Sequence, residues 1–250
     1  MRGQDQLLGS RTRVASRYAV LPREGIPFSR LPEWPQAQVR VLAGPALGAG
    51  FVEYLLDLAA GGSGAHAADQ RIEFFLYVLS GGVTLSMDGR HHDLAAGGYA
   101  FISPTSDFRA LARDATSLLM LRKQYQEAAG VAPCSSFVGN QAEVPSSVYY
   151  GDPGARLQEL IPNDLSFDMA MNIFTFDTGH SLPVTETHVM EHGLYMLQGK
   201  GVYYLGDSWM EVEATDFIWM GPFCPQSYYA TGPVASRYIY YKNVNREIPL

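Results

Sequence analysis

One stretch of the chain occurs twice. Glu73-Phe74-Phe75-Leu76-Tyr77-Val78-Leu79-Ser80-Gly81 lines up with Glu191-His192-Gly193-Leu194-Tyr195-Met196-Leu197-Gln198-Gly199 at a constant separation of 118 residues, and Glu, Leu, Tyr, Leu and Gly coincide. After a one-residue difference in the following segment, Gly98 to Pro104 returns to the same separation against Asp216 to Pro222. A duplicated unit restricts the fold more firmly than local propensity does, because both copies must reach one architecture with different side chains. The chain is therefore read as two halves built alike.

Within each half the apolar runs are short, rich in Val, Ile, Leu, Tyr and Phe, and broken at intervals of about 8 to 12 residues by Gly, Asp or Pro, which is strand-and-turn spacing. Phe51 to Leu58, Phe75 to Leu79, Val83 to Met87, Tyr99 to Ile102 and Leu118 to Leu121 are such runs in the first half. Met171 to Phe176, Leu194 to Leu197, Val202 to Leu205, Phe217 to Met220 and Tyr238 to Tyr241 are their counterparts. No long helical period is present, so the expected class is all-β, with each half a sandwich or jelly-roll barrel that folds its sheet onto itself. With 250 residues, 47% of them hydrophobic, there is apolar material for two cores. The boundary is expected between Gln126 and Asp152, giving residues 1–137 and 138–250 as the two domains, with residues 1–44 an arm or added edge strands on the first.

Several function classes drop out. Charged residues make up 17% of the chain and the net charge is −7, which is not the footprint of a nucleic-acid binder. Cys134 and Cys224 form no CxxC and no spaced framework, which argues against a disulfide scaffold or zinc ribbon and for a reducing compartment. The N-terminal stretch lacks the apolar core of a signal peptide, and no segment approaches the roughly 18 apolar residues of a spanning helix. A cytoplasmic protein acting on a small molecule, without membrane or nucleic acid, is the expectation.

The second half holds a cluster the first half lacks. Glu186, His188 and His192 have the same parity, so on an extended strand they share one face. Gln226 follows beyond the next strand pair and offers a carbonyl oxygen. A solvated polar strand is the plainer alternative, but polar groups on an interior face need partners, and a metal ion supplies them. At a separation of 118 the counterparts in the first half are Ala68, Gln70, Phe74 and Phe108, which are no ligand set. The first half is thus expected to bind no metal and to serve packing or assembly.

This layout resembles the cupins, whose first motif carries two histidines one residue apart and a later carboxylate, and whose second carries a proline and a further histidine. Here Glu186 stands at the first histidine, His188 at the second, His192 at the carboxylate position ahead of Gly199, and Gln226, after Pro222, at the last histidine. The resemblance implies a bicupin, two tandem double-stranded β-helix (jelly-roll) barrels. A mixed nitrogen and oxygen donor set with open positions suits Mn(II), with Fe(II) the alternative, better than tetrahedral Zn(II).

The likeness narrows further. Glu186-Thr187-His188-Val189-Met190-Glu191-His192-Gly193, then Gly199, Gly201-Val202-Tyr203 and the Tyr-Lys near the C-terminus, resembles the (S)-ureidoglycine aminohydrolase family of bicupins. Phe51-Val52-Glu53-Tyr54, Ser166-Phe167-Asp168-Met169 and Asn245-Arg246-Glu247 extend the likeness over most of the chain. It implies manganese-dependent hydrolysis of (S)-ureidoglycine to (S)-ureidoglycolate and ammonia in purine (allantoin) catabolism, by a homo-oligomer. Implied metal ligands are Glu186, His188, His192 and Gln226; implied substrate contacts are Glu186, Tyr203, Gln226, Tyr238 and Lys242, with Lys242 and Glu186 catalytic. Lys242 is one of three lysines in the chain and shares a strand face with Tyr238 and Tyr240. A lysine closing an edge strand is its plainer role. A metal-dependent cupin dioxygenase or isomerase, and a non-catalytic ligand-binding bicupin, stay open beside the hydrolase, since fold alone does not choose between them.

Overall fold

A computed structural model describes residues 10–69 and 71–247. The strands, in chain order, are β1 (Arg13–Val14), β2 (Tyr18–Leu21), β3 (Ala37–Ala43), β4 (Val52–Leu58), β5 (Ser63–His66), β6 (Ile72–Ser80), β7 (Gly82–Met87), β8 (Arg90–Ala95), β9 (Gly98–Ile102), β10 (Phe108–Ala112) and β11 (Thr116–Gln124). They continue as β12 (Phe137–Asn140), β13 (Ser146–Tyr149), β14 (Asp152–Glu159), β15 (Met169–Phe176), β16 (His192–Gln198), β17 (Lys200–Leu205), β18 (Ser208–Glu213), β19 (Phe217–Met220), β20 (Gln226–Ala230) and β21 (Ser236–Asn243). The protein is all-β. Among the described residues no helix is long and apolar enough to cross a membrane.

The chain divides into two compact units, Pro27–Val144 with Pro162–Asp168, and the segments up to Ile26, Pro145–Ile161 and from Met169 onward. The first unit pairs a six-stranded sheet, ordered β12-β9-β6-β11-β4-β3, with a four-stranded one, β5-β10-β7-β8. The second pairs an eight-stranded sheet, β1-β2-β19-β16-β21-β15-β14-β13, with a three-stranded one, β18-β17-β20. Alternation decides which side chains enter each core. On β10, Phe108, Ala110 and Ala112 are buried while Arg109 and Leu111 face out, and on β7 Val83, Leu85 and Met87 are buried in the same way. These residues join Leu56, Leu76 and Met120 in one apolar cluster, and Phe176, Leu194, Leu205 and Ile218 belong to its counterpart in the second unit.

The internal repeat is visible as register. Phe74 faces Ile102 and Phe75 faces Phe101 across β6 and β9, as His192 faces Met220 and Gly193 faces Trp219 across β16 and β19. The repeated glycines are explained too. Gly81 and Gly199 both sit at positive φ, 75° and 81°, in the turn after the first strand of the repeat. A Cβ at Gly199 would lie 2.7 Å from Ser236 Cα, so the backbone there tolerates no side chain.

The units do not follow the expected division at residue 137, and the arm does not wholly belong to the first half. β2 hydrogen-bonds to β19, with Val20 opposite Ile218, and Ala19 and Val20 are fully buried. An open edge on β19 would leave unpaired backbone groups exposed, and the N-terminal arm covers it. Only the later part of that arm, β3, pairs with β4 in the first unit. Beyond residue 137, β12 pairs with β9, and Phe167 packs edge-on against Phe101 at 5.1 Å, which assigns Pro162–Asp168 to the first unit. The same segment brings Asp168 to Lys123, which also meets Glu73 at 3.1 Å, all three buried. Burial pushes the Glu73 carboxyl well above its usual range.

Candidate active site

Glu186 and His188 lie between β15 and β16, in a segment that is mostly irregular. Glu186 is fixed by a two-way backbone pairing with Gln226, its N–H donating to the Gln226 carbonyl at 2.8 Å and its carbonyl accepting from the Gln226 N–H at 2.9 Å. Phe223 donates to the His188 carbonyl at 2.8 Å, holding the next turn of the segment. His192 opens β16, and Gln226 opens β20. The expected single extended strand is therefore not what gathers these side chains. A loop carries Glu186 and His188 across the pocket to meet groups at the ends of two strands.

The heads of His188, His192 and Gln226 converge. His188 Nε2 lies 3.2 Å from His192 Nε2 and 3.1 Å from the Gln226 amide nitrogen. Gln226 Oε1 accepts from the Tyr203 hydroxyl at 3.4 Å, and Glu186 Oε1 accepts from the Tyr149 hydroxyl at 2.8 Å. His192 Nδ1 lies 3.0 Å from the Tyr241 carbonyl, so it carries the proton and Nε2 keeps its lone pair. Burial holds His192 down at about 3, and burial followed by the charge of Lys242 lowers His188. Both rings are neutral at physiological pH, the state a metal ligand requires.

The donor chemistry fits a divalent cation. A neutral ring whose Nε2 lone pair points at a second imidazole nitrogen gains from a positive ion between them. Rotating the Gln226 amide exchanges its nitrogen and oxygen and presents the oxygen to the same place. The set leans on that amide: among the described residues, no three His, Cys, Asp or Glu side chains group closely enough to hold a metal ion on their own.

A cavity of about 330 Å³ opens here, and its walls include Glu186, His188, His192, Gln226, Tyr203, Tyr238 and Lys242. Each residue singled out in the sequence thus lines one space. Lys242 stands opposite His192 across β16 and β21. Among the described residues no carboxylate forms a salt bridge with it, which leaves a half-buried cation facing the cavity. Tyr203 and Tyr238 share a hydrogen bond, and burial raises both phenols well above their ordinary value, so they stay neutral. Cys224 is buried and its thiol is likewise pushed up, the behaviour of a packed, inert cysteine.

Two further wall residues, Tyr149 and Tyr240, escaped the sequence reading. Tyr240 lies in the strand face that carries Tyr238 and Lys242, stacks on Phe174 at 5.6 Å and accepts a hydrogen bond from Asn172 at 3.2 Å. That shared face was a signal for it. Tyr149 comes from a hairpin outside the repeat, where no periodicity marks it.

The first unit shows how the copies diverged. Glu186 faces Gln226 as His66 faces Phe108, and Lys242 faces His192 as Arg122 faces Phe74. By register the counterpart of Glu186 is His66 and not Ala68, because the loop before the repeat is two residues out of step with it. Gln70 lies outside the described residues. Phe74 and Phe108 meet edge-on at 5.2 Å where the second unit has His192 and Gln226, and Arg122 lies over Phe74 and 3.8 Å from Glu33.

No family model matches the chain. It is 34% identical to the (S)-ureidoglycine aminohydrolase of Escherichia coli (strain K12) over 99% of its own length and 96% of that protein's. Among solved structures it resembles the protein Ylba from E. coli, at 32% identity and a TM-score of 0.85 with 99% of each chain covered. A cupin 2 conserved barrel domain protein from Leptotrichia buccalis superposes with a TM-score of 0.63 at 16% identity, covering 90% of this chain and 96% of that one. That last likeness speaks to the fold alone, and the fold is that of the cupins. With one curated relative matched at this identity along almost its whole length, the chain belongs to the (S)-ureidoglycine aminohydrolase family.

Proposed function

We propose that this protein hydrolyses (S)-ureidoglycine to (S)-ureidoglycolate and ammonia in allantoin catabolism, in the cavity of its second unit and with a divalent metal ion. The observation that carries the reading is the meeting of two neutral imidazoles and an amide in one small cavity that the Glu186 carboxylate and Lys242 also line. Each unit is read as a cupin barrel, and the working protein as a cytoplasmic homo-oligomer of such bicupin protomers.

The reaction exchanges one bond for another. A C–O bond to water replaces the C–N bond to the substrate's amine, and the amine leaves with a proton as ammonia. Glu186, His188, His192 and Gln226 would hold the ion, which the mixed donor set favours as manganese, with iron the alternative. When bound, it supplies positive charge that orients the substrate's polar atoms and stabilises negative charge as it develops.

The chain's own residues do the rest. Lys242 Nζ supplies the cation for the substrate's carboxylate or moves a proton at the departing amine. The neutral phenols of Tyr203 and Tyr238 donate hydrogen bonds without adding charge, so they select a polar substrate and do not repel an anionic one. Leu182, Leu194 and Met220 complete the wall and limit the water that enters. A cavity of about 330 Å³ has room for a molecule of ureidoglycine's size.

Replacing Lys242 tests this reading. In Lys242→Met the fold and the bound metal should persist, while kcat/KM for ammonia release falls well beyond tenfold, since losing one partner of a buried charged contact costs on the order of 2–5 kcal/mol. Near-normal turnover at full metal occupancy would remove Lys242 from the chemistry.

A further inference from the structure

Tyr149 reaches the cavity from outside both repeats, at the end of a strand that closes in a tight hairpin. It ends β13, one of the two edge strands of the eight-stranded sheet. Pairing with β14 slips just before it: Val148 faces Arg156, but Tyr149 faces Asp152. A slip of this kind redirects the side chain that follows it. The turn beyond then takes two successive residues at positive φ, Tyr150 at 48° and Gly151 at 79°. Glycine adopts that conformation freely, whereas a tyrosine does so at a cost of about 1 kcal/mol or more. Tyr150 is 72% exposed, so no burial of its own ring offsets the strain.

This hairpin places the ring that precedes the turn. Tyr149 packs edge-on against Phe174 at 4.8 Å and against Tyr150 at 4.8 Å, which fixes the ring plane from two sides. Its hydroxyl then donates to Glu186 Oε1 at 2.8 Å. One carboxylate oxygen thereby accepts a hydrogen bond that restrains the whole group. A free carboxylate at the end of three rotatable bonds would sample many orientations; a donated hydrogen bond from a wedged phenol restricts them.

We infer that Tyr149 is a positioning residue for the metal centre, restraining the Glu186 carboxylate in the orientation from which it would hold a divalent ion. The inference rests on the reading of Glu186 as a ligand. Partners of this kind, hydrogen-bonded behind a ligating carboxylate, change metal affinity by about 10- to 100-fold in other centres.

The test measures Mn(II) binding to the metal-stripped full-length protein by calorimetry, with free Mn(II) followed by its paramagnetic resonance signal, and so does not depend on turnover. Four proteins are compared: the parent, Tyr149→Phe, Glu186→Gln and the double variant. Tyr149→Phe keeps the ring contacts with Phe174 and Tyr150, so the metal-free thermal midpoint should match the parent while Mn(II) affinity falls about 10- to 100-fold. In the Glu186→Gln background the same change should have little further effect, because the two groups act as one unit. Parent-like affinity in Tyr149→Phe alongside a weakened Glu186→Gln overturns the inference and leaves the metal centre standing. So does an additive loss in the double variant. Unchanged affinity in Glu186→Gln overturns both.

Discussion

At the scale of single residues, the candidate site was largely legible because its chemistry is concentrated in a few side-chain types. Glu186, His188, His192, Gln226 and Lys242 are rare groups in an otherwise apolar strand pattern, and they do share one cavity. What parity arguments could not supply was the means of convergence, since an irregular loop and not a strand carries Glu186 and His188. A different buried group stands apart from the site. Glu53, on β4, is 1% exposed, its Oε2 is buried without a hydrogen-bond partner, and burial pushes its carboxyl from 4.5 up to about 8. The folded protein therefore holds a proton there that the unfolded chain releases above pH 4.5. The stability linked to that proton is fully present below 4.5 and is lost as the pH rises towards 8. Glu53→Gln, which is neutral at every pH, should be more stable than the parent at neutral pH by roughly 1–3 kcal/mol and indistinguishable from it near pH 4. Urea denaturation at the two pH values checks this, and an equal difference at both would show that the carboxyl is not held protonated.

At the scale of elements, the strands and turns follow from the sequence with few surprises, while the pairings between distant strands do not. Alternation on β7 and β10 and the punctuating glycines locate each strand. Nothing in Tyr18–Leu21 announces that its partner is β19, about two hundred positions away, because an edge strand is chosen by which sheet edge lies open and not by its own composition. The slip at Val148 and Tyr149 is hidden for the same reason: the hairpin's length is visible, its register is not. Turn glycines are a sharper case. Gly199 at φ 81° would place a Cβ against Ser236 backbone, whereas Gly89 at φ 72° has no atom within 4 Å of where its Cβ would be. Both substitutions to alanine carry the cost of positive φ, and only the first adds a collision with the backbone. Gly199→Ala should therefore lose about 1–3 kcal/mol, and Gly89→Ala no more than about 1 kcal/mol. Chemical denaturation of the two variants side by side separates them, and equal losses would mean that the Ser236 contact relaxes without cost.

At the scale of the whole molecule, the duplication is the feature that makes the rest interpretable. It set the expectation of two similar units, and the matching registers of β6 with β9 and of β16 with β19 bear that likeness out. It also supplies an internal comparison. The same positions hold His192 and Gln226 in one copy and Phe74 and Phe108 in the other, so one unit offers polar donors where its twin fills the space with carbon. The residue-by-residue correspondence was legible only where the separation of 118 holds, and it failed at His66 because the preceding loops differ in length. Elemental analysis joined to an ammonia assay with freshly generated (S)-ureidoglycine decides whether hydrolysis depends on a metal ion held in the second unit alone. About one divalent ion per chain is expected, with ammonia release that disappears on chelation and returns with Mn(II), and loss of both metal and activity when His188→Ala and His192→Ala are combined. About two tightly held ions per chain, or metal and ammonia release persisting in the double variant, would contradict it.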